Sequence, residues 1–314
     1  MERLFFIFID VFLPLIVGYF FHKYKIISVD TCNLLLKLNI RFVTLITGLG
    51  SFWLINIDQN IFLLSFVGFI LCSVVPGMLA YPYAHFKIKS LRGHGAYLIS
   101  STMSNIGILG GLCAFIAMGQ LAYAYVQVIA MAQNIFTLIL GIPLAEYFHQ
   151  KIMAGPKTVK FQPHWRSILI SWNQIGLISM FIGAVLNVNE VARPFFFDYV
   201  FNAFVHIGAW CGILPVGYLL NFKAARIYKY IAASVIPIRF LIIPVLSYII
   251  AVFFTSDPLL IAIITLIGCC PIGINAVVVT QLYNLNTGIA EAMFVMTTAV
   301  FIFIAYPLFL LFML

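Results

Sequence analysis

Apolar residues run along this chain in stretches long enough to cross a bilayer, and the polar positions fall mainly between them. Ten such segments are legible, at residues 4–21, 32–53, 61–84, 95–118, 122–147, 167–187, 195–220, 228–254, 258–282 and 288–313. A helix needs about 20 apolar residues to span the hydrocarbon core, so the pattern predicts ten transmembrane helices joined by short loops. The longest polar stretch, from His149 to Arg166, carries Gly155-Pro156 and Pro163 and reads as a connector. The predicted organisation is a five-helix repeat over 1–148, a cytoplasmic connector over 149–166 and a second five-helix repeat over 167–314. No folded soluble domain fits between them.

Composition supports the same class. Hydrophobic residues make up 64% of the chain and charged ones 8%, against about a quarter charged in soluble domains, and the mean hydropathy is +1.11. The expected fold class is all-α integral membrane. Leu4 to Phe21 is long enough to span and no small-residue cleavage site follows it, so it reads as a helix rather than a removable signal peptide.

Lys and Arg are retained on the cytoplasmic side of short loops. After segments one, three, five and seven stand Lys23, Lys25, Lys87, Lys89, Arg92, Lys151, Lys157, Lys160, Arg166, Lys223, Arg226 and Lys229. The opposite side holds only Arg3 and Arg193, together with Glu2, Asp58, Glu190, Asp198 and Asp257. Both termini are expected outside a cytoplasmic-type cell membrane. The net charge of +8 follows from this loop bias, which removes the reason to expect a nucleic-acid partner.

The two halves repeat weakly at a nearly constant offset. Val75-Pro76 recurs as Ile243-Pro244, 168 residues on; Ile106-Gly-Ile-Leu-Gly110 as Ile272-Gly-Ile-Asn-Ala276, 166 on; Gly141-Ile-Pro143 as Ala305-Tyr-Pro307, 164 on. An odd number of spans per repeat inverts the second half, the plan of many secondary transporters. It pairs SNIGILGG at 104–111 in segment four with CPIGINAV at 270–277 in segment nine. Both are glycine-rich, both carry an Asn, and Pro271 removes a backbone donor. Broken, crossing helices four and nine are therefore expected, with Asn105, Gly107, Gly110, Pro271, Gly273 and Asn275 around an anion. Half-helix N-termini would hold it there. Close helix packing through small residues is the plainer alternative for these glycines.

The chain also resembles the auxin efflux carrier family, which includes plant auxin exporters and bacterial permeases associated with malonate or malate. The resemblance rests on Leu13-Pro-Leu-Ile-Val-Gly18-Tyr, on Arg239-Phe-Leu-Ile-Ile-Pro244, on Pro271-Ile-Gly273-Ile followed by Gln281-Leu-Tyr283, and on Pro307-Leu-Phe-Leu. It implies a scaffold and homodimer interface from segments one, two, six and seven, and a mobile substrate domain from three to five and eight to ten. Two departures stand out. Leu112 replaces a proline usual in segment four, and Asn39-Ile-Arg41-Phe-Val43 lacks the proline usual in segment two.

Ionisable groups inside spans cost about 2.5–3.5 kcal/mol on insertion scales and mark functional positions. Arg239 is expected either as a counter-charge for a carboxylate or as a tie at a helix end, against the alternative of snorkelling to the headgroups. Gln133 and Asn134 in the middle of segment five are candidate site residues, with bonding across helices as the alternative. Arg41 and His206 fall at equivalent repeat positions and read as gating or inter-helix ties. Asp10 and Glu291 read as satisfied carboxylates, with proton relay as the sharper alternative.

Enzyme chemistry finds little foothold. Glu146-Tyr-Phe-His149 is a lone Glu-x-x-His, where di-iron bundles need two with further carboxylates. The six cysteines form no Cys-x-x-Cys pair, and no phosphate-binding glycine loop ending in Lys-Ser/Thr is present. No metal and no cofactor is expected. The sequence points to a secondary transporter of small organic anions such as carboxylates, working by alternating access. A sodium-coupled symporter of the bile-acid-symporter architecture, an anion channel and a membrane sensor are the alternatives, and the absence of a carboxylate from the two central stretches weighs against sodium.

The loop bias makes a direct prediction. Single cysteines introduced at Lys157 and at Asp257 should be labelled by an impermeant reagent from opposite sides of the membrane; labelling of both from one side would remove the inverted plan.

Overall fold

The structure is a computed structural model, and it describes residues 6–55, 60–155 and 175–313. Glu2, Arg3, Asp58 and the connector from Pro156 to Arg166, with Lys157 and Lys160, lie outside the described residues. The described chain is predominantly helical, as lipid requires, because a helix satisfies its backbone groups within itself. Among the described residues six helices are long and apolar enough to cross a membrane: Val29–Leu54, Asn60–Lys87, Gln120–Ala154, Phe195–Tyr218, Lys229–Phe254 and Thr287–Met313. Ile106–Met118, Ile175–Val188 and Pro258–Gly268 are apolar but shorter. The chain is a multi-pass membrane protein.

The helices are not uniform, and proline explains most of the places; the wide turns Asn39–Val43 and Ile106–Gly110 lead into helices without one. Wide π-helical turns at Phe8–Phe12, Val67–Val74, Thr137–Gly141, Ile238–Ile242 and Phe301–Ala305 each run into an α-helix whose second residue is proline: Pro14, Pro76, Pro143, Pro244 and Pro307. Proline lacks an N–H and its ring collides with the carbonyl four residues back. Widening the preceding turn removes the collision and leaves that carbonyl free for another donor. The proline pairs in the third and eighth segments and in the fifth and tenth thus mark the same local distortion.

The chain divides into two compact units, each drawing on both halves of the sequence. The first comprises Met1–Phe62, Ile106–Val128 and Ser171–Leu220 in their described residues, and so holds segments one, two, six and seven. It also takes the second part of segment four and the first part of segment five, which the family resemblance assigns to the other domain. Its helices approach to backbone contact at glycines. A Cβ on Gly217 would strike the Leu15 carbonyl, and one on Gly18 the Leu214 carbonyl, so Leu13–Lys23 and Phe195–Tyr218 pack through bare backbone. Gly183 meets the Leu49 carbonyl in the same way, joining Thr44–Leu54 to Ile175–Val188. In a membrane, where helix association lacks a hydrophobic driving force, such close van der Waals packing is the main attraction available.

The second unit comprises Leu63–Asn105, Ile129–Ile170 and Asn221–Leu314 in their described residues. Its core is filled by Tyr97, Ile129, Phe294 and Phe301 and, unusually, by Arg239, all at most 1% exposed. Gly68 lies against the Ile129 carbonyl and Gly268 against the Ser247 side chain, so this unit too is built on close helix contacts.

Gly217→Leu should destabilise the first unit. Over-packing costs about 1–3 kcal/mol or more, and here the obstruction is backbone, which cannot rotate aside. A lowered thermal unfolding midpoint in detergent is the expected result, with Phe303→Leu, at a position 69% exposed, leaving the midpoint near native.

Candidate functional site

In the second unit the two expected breaks are present and are paired with one another. Segment four runs as a helix over Leu91–Thr102 and then unwinds, with Met103 extended. Segment nine runs over Pro258–Gly268, unwinds, and restarts at Ile274–Leu282. Ser104 and Ile272 form an antiparallel bridge. Its hydrogen bonds run from the Asn105 amide to the Pro271 carbonyl at 2.8 Å and from the Gly273 amide to the Met103 carbonyl at 2.9 Å. Two short strand-like pieces, each in the interior of an apolar segment, satisfy one another.

Why the chain can do this follows residue by residue. Pro271 cannot continue a helix, and it biases Cys270 away from helical angles. Gly273 has an ordinary φ of −82°, so its role is close approach rather than conformational freedom. A Cβ there would lie 3.0 Å from the Ser104 carbonyl oxygen, inside normal contact distance.

Unwinding leaves helix-terminal groups without partners, and side chains take them up. The Thr102 hydroxyl donates to the Ile99 carbonyl at 2.8 Å. Thr297 accepts the Ile272 amide at 3.1 Å. The Gln133 carboxamide, oriented with its nitrogen toward the Ser104 carbonyl, donates to that oxygen and accepts the Ser104 amide, both at 2.9 Å. Gln133 is thus a clamp on the bridge itself.

Arg239 completes the closure. It is 1% exposed, which rules out snorkelling. Its guanidinium donates to the Ser101 carbonyl at 2.5 Å, to the Cys72 carbonyl at 3.4 Å and to the Ser104 hydroxyl. The Cys72 carbonyl is the one that Pro76, four residues later, deprives of its helical partner; Ser104 donates to the same oxygen at 3.3 Å. Ser101 lies in the last turn of its helix, where a cation also meets the negative end of the dipole. Nε of Arg239 has no acceptor, and no carboxylate lies within ion-pair distance of the group among the described residues. Of the two readings of Arg239 from sequence, the geometry displays the tie.

Several expectations need correction. The Gly273 amide is not free for a ligand, because the Met103 carbonyl takes it. Gly107 and Gly110 are not in unwound backbone. They sit in the π-helical turn Ile106–Gly110 of the first unit, where the Gly107 carbonyl accepts from Gln127 at 3.4 Å. The break in segment four begins at Met103, earlier than the glycines suggested, and with Leu112 in place of a proline the chain resumes helical form at once. Asn105 is buried, whereas Asn134 and Asn275 are exposed. Asn275 lies in the first turn of Ile274–Leu282, whose start has no side-chain cap. Ser104, Thr297 and the Cys72 carbonyl were not anticipated; Pro76 carried a signal for the last, since a proline always orphans the carbonyl four residues before it.

In chemical terms the break is a bridged crossing with an uncapped helix start and, in the first turn beyond it, the exposed Asn275 carboxamide. It offers dipoles and hydrogen bonds, with its one cation withheld inside. No protein-family model matches the chain, and no curated protein matches its sequence.

Removing a clamp should loosen the crossing. Thr297→Val strands the Ile272 amide and should cost about 1–3 kcal/mol, read as a lower unfolding midpoint in detergent. Arg239→Gln strands the Ser101 carbonyl and leaves the Cys72 carbonyl to Ser104 alone, and should lower it as well, while Arg239→Lys recovers part of the loss.

Proposed function

We propose that this chain is a secondary transporter of small organic anions, with carboxylates as the substrate class, working by an alternating-access, elevator-type cycle. The observation that carries the reading is the antiparallel pairing of two unwound stretches inside apolar segments. Lipid tolerates non-helical backbone only where protein or a water-filled cavity surrounds it. In transporters such paired discontinuities mark the substrate site.

The details favour an anion. The start of Ile274–Leu282 is uncapped and points its first amides beyond Gly273, and a helix start contributes about 0.3–1 kcal/mol toward an anion when exposed and up to about 2 when partly buried. Exposed carboxamides at Asn134 and Asn275, inside membrane-crossing segments, need water or a ligand as partner. Arg239 holds a positive charge behind the crossing without a carboxylate to cancel it. A carboxylate substrate is the natural complement.

The same reading takes the chain as ten spans in two inverted five-helix repeats, related to the auxin efflux carrier family. The matched π-turn and proline pairs and the matched breaks support it. The second unit, which holds the crossing, would carry the anion, and the first would be the scaffold and homodimer interface.

Purified protein in proteoliposomes, offered radiolabelled malonate, malate and a set of monocarboxylates, tests the proposal. Saturable uptake of at least one is expected, with Asn275→Ala weakening it by about 1.5–3 kcal/mol in apparent affinity, the range for a hydrogen bond to a charged group. Gly273→Leu should abolish it by forcing the crossing apart. Absence of uptake or binding for every anion, or currents at channel rates, would refute the carrier reading.

A further inference from the structure

The first unit contains a polar pair that the anion site does not use. Asp10 lies in the wide turn Phe8–Phe12, with its side chain 3% exposed, and its Oδ2 is 2.6 Å from Nδ1 of His206. His206 stands in the middle of Phe195–Tyr218, and its side chain is 32% exposed. The rings of Phe6 and Phe115 flank the imidazole, with centroids at 5.2 and 5.6 Å. The pair is therefore bedded in apolar and aromatic groups, with one edge open.

Few charged groups lie on the elements packed around it. Leu13–Lys23 and Phe195–Tyr218 pack against the turn that holds Asp10, and Val29–Leu38, Asn39–Val43, Thr44–Leu54 and Ile106–Gly110 pack against the helix that holds His206. Their charged or titratable groups in the physiological range are His22, Lys23, Asp30, Lys37, Arg41 and Asp198. His22, Lys23, Asp30 and Lys37 make no bond to Asp10 or His206 among the described residues, and Asp198 is paired with Arg193 at 3.2 Å.

We propose that Asp10 and His206 form a proton-binding site, and that one proton bound there moves in step with the transported anion. The second clause rests on the transporter reading above; the first does not. With Nδ1–H donating to Asp10, the other ring nitrogen, Nε2, has no bonding partner among the described residues. In that state the pair carries a net charge of −1 in a medium that penalises it. A proton arriving from water at the open edge forms an N–H bond at Nε2, converts the imidazole to imidazolium and brings the pair to zero net charge. Loss of the same proton reverses the step, and no other bond changes. Phe115, on the imidazole face, belongs to the continuation of the broken segment four, so the charge state of the pair acts directly on that segment's packing.

Two measurements test this, and they fail separately. Infrared difference spectra of the purified protein between mildly acidic and neutral pH should show imidazole and carboxylate bands that disappear in His206→Gln and in Asp10→Asn. Both substitutions keep a hydrogen bond between the positions, so a merely structural pair would leave folding intact and the spectra unchanged; identical spectra in native and variant proteins would overturn the site. In proteoliposomes with the membrane potential clamped at zero, a gradient of one pH unit should drive about tenfold accumulation of malonate for one proton per anion. His206→Gln should bring the ratio to about one while malonate exchange at equal pH continues. Accumulation that persists in His206→Gln, or exchange that fails together with accumulation, would overturn the coupling. If the native protein moves no malonate, the infrared bands alone decide whether the site exists.

Discussion

Lipid offers no hydrogen bonds, and that single constraint shapes the whole of this chain. It makes the described residues helical, and it means that any departure from helix must be compensated inside the protein. The crossing of segments four and nine is a large departure, since two helices end and restart within the apolar region. Compensation comes from the backbone bridge at Ser104 and Ile272 and from Arg239, Gln133 and Thr297 around it.

Arg239 shows how one distortion supports another. Pro76 widens its helix and releases the Cys72 carbonyl, the broken segment exposes the Ser101 carbonyl, and a single planar guanidinium reaches both. Lysine, with one compact ammonium, lacks that fork. Burying a cation this deeply is unfavourable by itself. It becomes tolerable because carbonyl dipoles at a helix end surround it, and with no carboxylate within ion-pair distance among the described residues its field reaches beyond the groups it touches.

Much of this was legible in the sequence. The apolar periodicity located the membrane class, and Pro271 with Gly273 located the break in segment nine, because proline acts through local geometry that does not depend on the rest of the fold; in segment four the glycines pointed a few residues too far along. What was not legible depended on partners far away in the chain. Gln133 carried two readings, a site residue or a bond across helices, and it is a clamp on Ser104; Gly107 looked unwound and is helical; in each case the deciding neighbour lies outside the local window. Thr297 was invisible because a threonine inside an apolar span most often bonds back to its own helix, as this one also does at 2.7 Å to Met293.

The compact units cut across the sequence repeats, and the cut itself carries meaning. Asn105 ends one unit and Ile106 begins the other, so the chain changes unit at the end of the break in segment four. A continuous helix there would leave the boundary without a structural mark. An unwound stretch secured wholly within the second unit, by Arg239, Gln133 and the Ile272 bridge, instead ends that unit's rigid part at Asn105. The π-helical turn that follows, Ile106–Gly110, is the first element of the other unit and contains two glycines. On the second unit's side the geometry is fixed, because the Gln133 carboxamide holds the Ser104 backbone and Arg239 holds the Ser104 hydroxyl, so the break ends where its bonds end.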